Sequence, residues 1–161
     1  MKSIHEWLSE YGESHQNPTN KAIHWVCVPL ILISLFGLLA SPGLWFPIDY
    51  NFTLFEVVFK MNWTIILIFI ATLFYLSLSF SLTIGMLLIS IVALFINHNL
   101  NQLPIALWKI SLIIFVLAWV GQFIGHKIEG KKPSFLKDIQ FLLIGPAWLL
   151  SFIYNKLNIK I

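Results

Sequence analysis

The sequence predicts an all-α integral membrane protein: a helical bundle of about four to five transmembrane helices preceded by a short interfacial helix. Of its 161 residues, 58% are hydrophobic and only 11% are charged, whereas a typical soluble domain is about a quarter charged. Several apolar runs approach the length of about 20 residues that a helix needs to cross a bilayer. We therefore expect residues 1–161 to form a single helical membrane domain.

The ionisable residues argue against several other classes of protein. All ten basic residues are lysines, and a net charge of +3 is too small and too dispersed to suggest a nucleic-acid partner. The single cysteine, Cys27, cannot form a disulfide within the chain. Residues 1–15 carry acids and aromatics ahead of any apolar stretch, so we expect neither a signal peptide nor a transit peptide there.

The predicted elements follow from hydropathy and spacing. Residues 3–14 predict the interfacial helix, because Ile4, Leu8 and Tyr11 recur at helical spacing while the other face is acidic. Residues 63–97 carry no charge over 35 positions. One helix of that length would measure about 50 Å, beyond a core of about 30 Å, so we predict a hairpin. The predicted spans are about 22–40, 63–80, 83–97, 104–125 and 139–154.

Proline, glycine and serine predict where these spans end or bend. The first span is expected to close at Ser41-Pro42-Gly43, and the hairpin is expected to turn between Ser79 and Thr83, with the second helix the shorter one. Gly145-Pro146 interrupts the last span, which is therefore expected to be kinked or only partly inserted.

The lysines predict the orientation of the bundle. By the positive-inside rule, the side with more lysines is cytoplasmic, which places the N-terminus in the cytoplasm. Four crossings separate His24 from His126, so both should return to the same face, whereas His98 should come out on the other. The lysines predicted on the N-terminal side are Lys2, Lys21, Lys127, Lys131, Lys132 and Lys137, and those opposite are Lys60, Lys156 and Lys160.

A first polar cluster lies at the start of the first span, in SHQNPTNKAIHWVCVP, residues 14–29. Asn17 is a good helix N-cap and Pro18 suits the first helical position, so the helix should begin there. His15 would then lie in the bend before the helix, free to fold back over its start. Asn20 and His24, four residues apart, share one face.

A second polar cluster ends the fourth predicted span, in WVGQFIGHKIEGKKPSF, residues 119–135. Gly121 and Gly125 allow a neighbouring helix to approach closely. Spacings of three, four and three predict one polar stripe on an otherwise apolar helix, formed by Trp119, Gln122, His126 and Glu129.

The two clusters predict a shared metal site beneath one leaflet. Histidine is the commonest metal ligand, and histidine with carboxylate and open positions suits a non-haem iron oxygenase. Three histidines and a water also suit zinc, so the residues alone leave the metal open. Asn20 and Gln122 could orient an imidazole or hold bound water. We predict His15, His24 and His126 as metal ligands, with Glu129 as a further catalytic residue.

The same two clusters, HQNPTNKAIHWVCVP and WVGQFIGHKIEGKKPSFLKDIQFLLIGPAW, resemble the family of small membrane proteins that includes the fungal 2-hydroxy fatty acid dioxygenase. The resemblance implies iron(II)-dependent α-oxidation, in which O2 and a long-chain 2-hydroxy fatty acid give a fatty acid one carbon shorter. In fungi this serves the breakdown of the sphingolipid base phytosphingosine at the endoplasmic reticulum. The positions that match the family's motif are His15, His24, His126, Glu129, Asn20 and Gln122.

One spacing departs from the expected family pattern. Glu129 follows His126 by three residues, whereas the family's glutamate is expected one residue later, so an iron bound by histidines alone is an alternative. The absence of arginine beside abundant lysine, asparagine and isoleucine suggests an AT-rich bacterial genome and hence the bacterial inner membrane, or the endoplasmic reticulum in a eukaryote.

Two other functional classes stay open at this point. One is a zinc-dependent membrane hydrolase acting on a lipid. The other is a non-catalytic helical membrane protein whose histidines hydrogen-bond between helices. His5 and His98 are expected to be such interfacial or helix-pairing residues rather than ligands.

Overall fold

A computed structural model describes residues 2–41, 51–54, 56–133 and 140–161. In these residues the helices are α1 (Ile4–Gly12), α2 (Pro18–Ala40), α3 (Trp63–Leu76), α4 (Phe80–Leu100), α5 (Leu107–Glu129) and α6 (Phe141–Lys156). Strands β1 (Asn51–Leu54) and β2 (Val57–Lys60) form an antiparallel hairpin between α2 and α3. By length and composition, α2, α4 and α5 could each cross a membrane, and α3 and α6 are shorter apolar helices. The helical membrane class is thereby confirmed, while the number of crossings stays a prediction.

Some predicted features fall outside the described residues, namely Pro42, Gly43, Lys137 and the first residue of the predicted last span, 139. The β-hairpin lies between the predicted spans 22–40 and 63–80, where no element was predicted from the sequence. Its strands contain the β-branched and aromatic residues that favour extended backbone, in the segments NFTL and VVFK.

The bend between α1 and α2 follows the predicted local signals. The Asn17 side chain accepts hydrogen bonds from the backbone N–H groups of Thr19 and Asn20. Pro18 occupies the first helical position, where its missing N–H would have no partner in any case. The predicted helix start is confirmed, and His15 is left in the bend.

The α3–α4 connection comes earlier than the predicted turn. It occupies residues 77–79, and α3 has 14 residues against 21 in α4, so the first helix of the hairpin is the shorter one. Ser79 accounts for the position, because its side chain accepts a hydrogen bond from the N–H of Leu82 and caps α4.

Helices α2 and α5 pack antiparallel at close range. Near the start of α2, Asn20 lies so close to Gly125 near the end of α5 that a side chain on the glycine would overlap the Asn20 amide oxygen. Near the opposite ends, Gly37 lies equally close to Ser111. The small residues thus permit the close approach predicted from the sequence.

Helices α1 and α6 lie at the end of the bundle where α2 begins. The Tyr75 hydroxyl, in the last turn of α3, donates a 2.7 Å hydrogen bond to the carbonyl of Leu143. The Tyr154 hydroxyl donates one of 2.8 Å to the carbonyl of Ser81, in the first turn of α4. Both ends of α6 therefore contact the surroundings of the α3–α4 connection.

Candidate metal centre

Three histidines from separate parts of the chain meet at this end of the bundle. His15 lies in the bend before α2, His24 on α2 and His126 on α5. The first two are 0% exposed and the third is 6% exposed. Their ring centroids lie 4.3, 4.9 and 5.0 Å apart, and one nitrogen of each lies within 4.8 Å of the others. The predicted convergence of the two polar clusters is confirmed.

Backbone carbonyls orient two of the three rings. Nδ1 of His15 lies 2.6 Å from the carbonyl oxygen of Tyr11, and Nδ1 of His24 lies 2.9 Å from that of Asn20. Because a carbonyl only accepts hydrogen bonds, each Nδ1 must carry the ring proton. Each Nε2 then presents a bare lone pair, which is the arrangement of a metal-binding histidine.

These two lone pairs face each other. Nε2 of His15 lies 3.0 Å from Nε2 of His24. Two neutral imidazoles carry two protons, but the two carbonyl contacts and the contact between the rings would need three. A third proton is disfavoured, because burial lowers the pKa of His15 to about 3.

A metal cation would satisfy the same geometry without that proton. With metal–nitrogen bonds of about 2.1 Å, two ligands at right angles are separated by about 3.0 Å. His126 adds a third nitrogen donor to the group, and its Nδ1 is buried without a hydrogen-bond partner among the described residues. The donor set therefore fits a metal ion held by three imidazoles.

Glu129 lies beside this group, and both of its carboxylate oxygens accept hydrogen bonds from residues 16–20. Its Oε1 accepts a 2.8 Å hydrogen bond from the backbone N–H of Gln16. Its Oε2 accepts bonds of 2.9 Å from the N–H of Asn17 and from the side-chain amide of Asn20. The carboxylate thus ties the end of α5 to the start of α2, where the helix dipole also favours an anion.

Asn20 and Gln122, the predicted supporting residues, lie next to the histidines. Asn20 is fully buried and donates to the carbonyl of Ser14 at 3.2 Å as well as to Glu129. The Gln122 side chain lies close to the ring of His24. Both residues are therefore in a position to restrict movement of the imidazoles.

The other singled-out polar residues take no part in the group. His5 is exposed on α1, and His98 lies in the last turn of α4, at the opposite end of the bundle. The Lys131 ammonium donates a 2.6 Å hydrogen bond to the carbonyl of Glu13, which links the end of α5 to the end of α1.

An apolar cavity of about 410 Å³ adjoins the histidine group at His126. At one end it is lined by Tyr11, Gln122 and His126, and it continues past Phe115 on α5 to Phe36 on α2. The eleven-residue separation between His126 and Phe115 corresponds to about 16 Å along the helix. The described residues that line it include no lysine, aspartate or glutamate. The cavity thus has one polar end and a long apolar body.

Tyr11 is the residue at this site that sequence reasoning missed. Its spacing indicated only that it lies on the buried face of α1. In the structure its ring stacks on His15, with centroids 4.1 Å apart and planes at 13°. The one available signal was its position four residues before a predicted ligand, at the end of the helix that leads into the bend.

Comparisons with known proteins agree with the resemblance seen in the two clusters. The family profile described as 2-hydroxy-palmitic acid dioxygenase Mpo1-like matches residues 1–157. The chain is 27% identical over 152 residues to the 2-hydroxy-palmitic acid dioxygenase MPO1 of Saccharomyces cerevisiae, a match that covers 93% of this chain and 79% of the yeast protein. No solved structure matches the chain. Since the profile spans nearly the whole sequence, the chain belongs to the Mpo1-like family.

Proposed function

We propose that this protein is a membrane-embedded non-haem iron(II) dioxygenase that oxidises 2-hydroxy fatty acids to fatty acids one carbon shorter. The observation that carries the proposal is the group of three buried imidazoles, one of which, His126, lines the polar end of an apolar cavity. The yeast relative, named a 2-hydroxy-palmitic acid dioxygenase, supports the same substrate class.

The proposed reaction balances without a further reductant. The 2-hydroxy acid and O2 give the shortened acid, CO2 and water. The C1–C2 bond breaks, C1 leaves as CO2, and C2 becomes the new carboxyl carbon. The substrate supplies all four electrons that reduce O2, so turnover requires no electron donor besides the acid itself.

The chain's own residues would bind and orient the acid. The apolar body of the cavity would hold the acyl tail, and the polar head would lie against the histidines, where water is excluded by burial. A substrate dissolved in lipid could enter sideways from the bilayer. Bound iron(II) would supply the redox chemistry that O2 requires, and three protein ligands leave positions open for substrate and oxygen.

Elemental analysis and oxygen uptake test this proposal together. Protein purified in detergent should contain about one iron per chain and should consume O2 when given 2-hydroxypalmitic acid. Alanine at His15, His24 and His126 together should remove both the metal and the uptake. Alanine at His5 or His98, which lie outside the group, serves as the matched control and should change neither. Iron retained by the triple variant would refute the assignment.

Zinc is the second candidate, because three imidazoles and a water are also a common zinc site. A zinc-dependent lipid hydrolase would contain zinc and would release acid from a lipid without O2 uptake, since zinc has no redox chemistry. A non-catalytic protein would contain no stoichiometric metal. The iron and zinc content of the purified protein, together with the presence or absence of O2 uptake, therefore distinguishes the three classes.

The cellular setting belongs to the proposal as well. We place the protein in the bacterial inner membrane with a cytoplasmic N-terminus, because of its composition and the distribution of its lysines. Reporter fusions at the N-terminus that fluoresce or fold only in the cytoplasm test the orientation.

A further inference from the structure

The hydroxyl group of Tyr11 differs from the other buried tyrosine hydroxyls described above. Tyr75 and Tyr154 each donate their hydroxyl to a backbone carbonyl. Tyr11 is only 7% exposed, yet no described residue forms a hydrogen bond with its hydroxyl. A buried tyrosine hydroxyl usually has a partner, so this donor is available to something that enters the cavity.

The position of this hydroxyl is set by packing. The Tyr11 ring stacks on His15 and has Trp148 and Phe141 as neighbours, with centroids 5.4 and 6.1 Å away. Gly145 lies next to the hydroxyl, and a methyl group built on that glycine would come within 3.1 Å of the hydroxyl oxygen. The ring therefore has little freedom, and the absence of a side chain at residue 145 leaves room at the hydroxyl.

The cavity needs hydrogen-bond donors if it is to hold an acid. The residues described along its wall include no lysine that could pair with a carboxylate. An anion in such a place is stable only where several donors reach it. A tyrosine phenol carries its proton at physiological pH and is therefore a hydrogen-bond donor.

We propose that the Tyr11 hydroxyl is a substrate-binding group that donates a hydrogen bond to the carboxylate of the 2-hydroxy acid. This inference rests on the proposed function, since the ligand is the substrate of that reaction. The stack on His15 then aligns the head of the substrate with the histidine group, because one residue contacts both. The Gln122 amide, which also lines the cavity, is a further neutral donor near His126.

Replacement of Tyr11 by phenylalanine tests the inference cleanly. Tyr11→Phe keeps the ring stack and the backbone carbonyl that holds His15, and it removes only the hydroxyl. Binding of 2-hydroxypalmitic acid to the metal-loaded protein should weaken about 10- to 100-fold, the range expected for a hydrogen bond to a charged group. Binding of the methyl ester of the same acid, which has no carboxylate, should change less than about twofold, and the metal content should be unchanged.

Two further variants complete the experiment. Tyr154→Phe removes an equally buried hydroxyl that lies outside the cavity wall, so acid and ester should bind as in the wild type. Gly145→Ala places a methyl group against the Tyr11 hydroxyl and should weaken binding of the acid as Tyr11→Phe does. Acid binding by Tyr11→Phe within twofold of the wild type, or an equal loss for acid and ester, overturns the inference.

Binding and turnover separate this inference from the proposed function. A wild-type protein that binds the acid more tightly than the ester, loses that preference in Tyr11→Phe, and consumes no O2 would keep the Tyr11 assignment and refute the dioxygenase. A protein that consumes O2 while Tyr11→Phe binds the acid normally would keep the dioxygenase and refute the role of Tyr11.

Discussion

Replacing Glu129 by glutamine tests how the histidine group is held together. The carboxylate accepts three hydrogen bonds, from Gln16, Asn17 and Asn20, and all three donors lie at the start of α2. In Glu129→Gln the remaining carbonyl oxygen still accepts a hydrogen bond. The new NH2 group, however, faces N–H donors and cannot accept hydrogen bonds from them. The negative charge that favours the positive end of the α2 dipole is also lost.

The size of the effect follows from the exposure of the donors. A hydrogen bond to a charged group contributes about 1.5–3 kcal/mol, but the Gln16 and Asn17 N–H groups lie near the surface and can bond to water instead. We expect the free energy of unfolding to fall by about 1–2 kcal/mol. Metal affinity should fall about 10- to 100-fold, as is typical when a residue that orients metal ligands is altered, because His15 lies directly before these donors in the chain.

Two measurements and one control decide the outcome. Thermal unfolding in detergent reports stability, and competition with a chelator reports metal affinity. Glu13→Gln removes an acidic charge at the same end of the bundle whose carboxylate bonds to no described residue, so both quantities should stay near the wild-type values. Metal affinity of Glu129→Gln within threefold of the wild type, or an equal loss in Glu13→Gln, would refute a positioning role for this carboxylate.

Three further predictions concern packing, pH and the length of the cavity. Gly125→Ala would force its methyl group onto the amide oxygen of Asn20. We expect the free energy of unfolding to fall by about 1–2 kcal/mol, although alanine has the better helix propensity. In the control Gly12→Ala the added methyl group makes only an ordinary contact at 3.6 Å, so this variant should be neutral or stabilising in thermal unfolding. In the metal-free protein, burial keeps the pKa of His15 near 3, so the unfolded chain takes up a proton below about pH 6.5 that the folded chain does not. The melting temperature should therefore fall as pH decreases from 7 to 5, and His15→Gln should reduce that slope. Ala71→Leu, which narrows the cavity one turn beyond Tyr75, should shift O2 uptake toward 2-hydroxy acids with shorter chains; an unchanged chain-length profile would contradict the placement of the tail.

Local sequence signals determined the helical class and the helix ends that carry the metal centre. Long uncharged apolar runs require backbone groups to bond within helices, which is why hydropathy alone predicts the class. Asn17 and Pro18 mark the start of α2 because capping depends on neighbours within a few residues. The return of His24 and His126 to the same end follows from counting crossings, and Gly125 indicates close packing because only a small residue permits it.

Tertiary structure decided which groups those side chains contact. A carboxylate binds a metal or backbone N–H groups equally well, so only the approach of α5 to the start of α2 shows that Glu129 bonds to the latter. The apolar sequence of α6 does not indicate which residues it packs against, and only the structure shows its contacts with α1 and with the α3–α4 connection. The sequence also could not predict that the Tyr11 hydroxyl has no partner among the described residues, because whether a buried donor has a partner depends on residues distant in the chain.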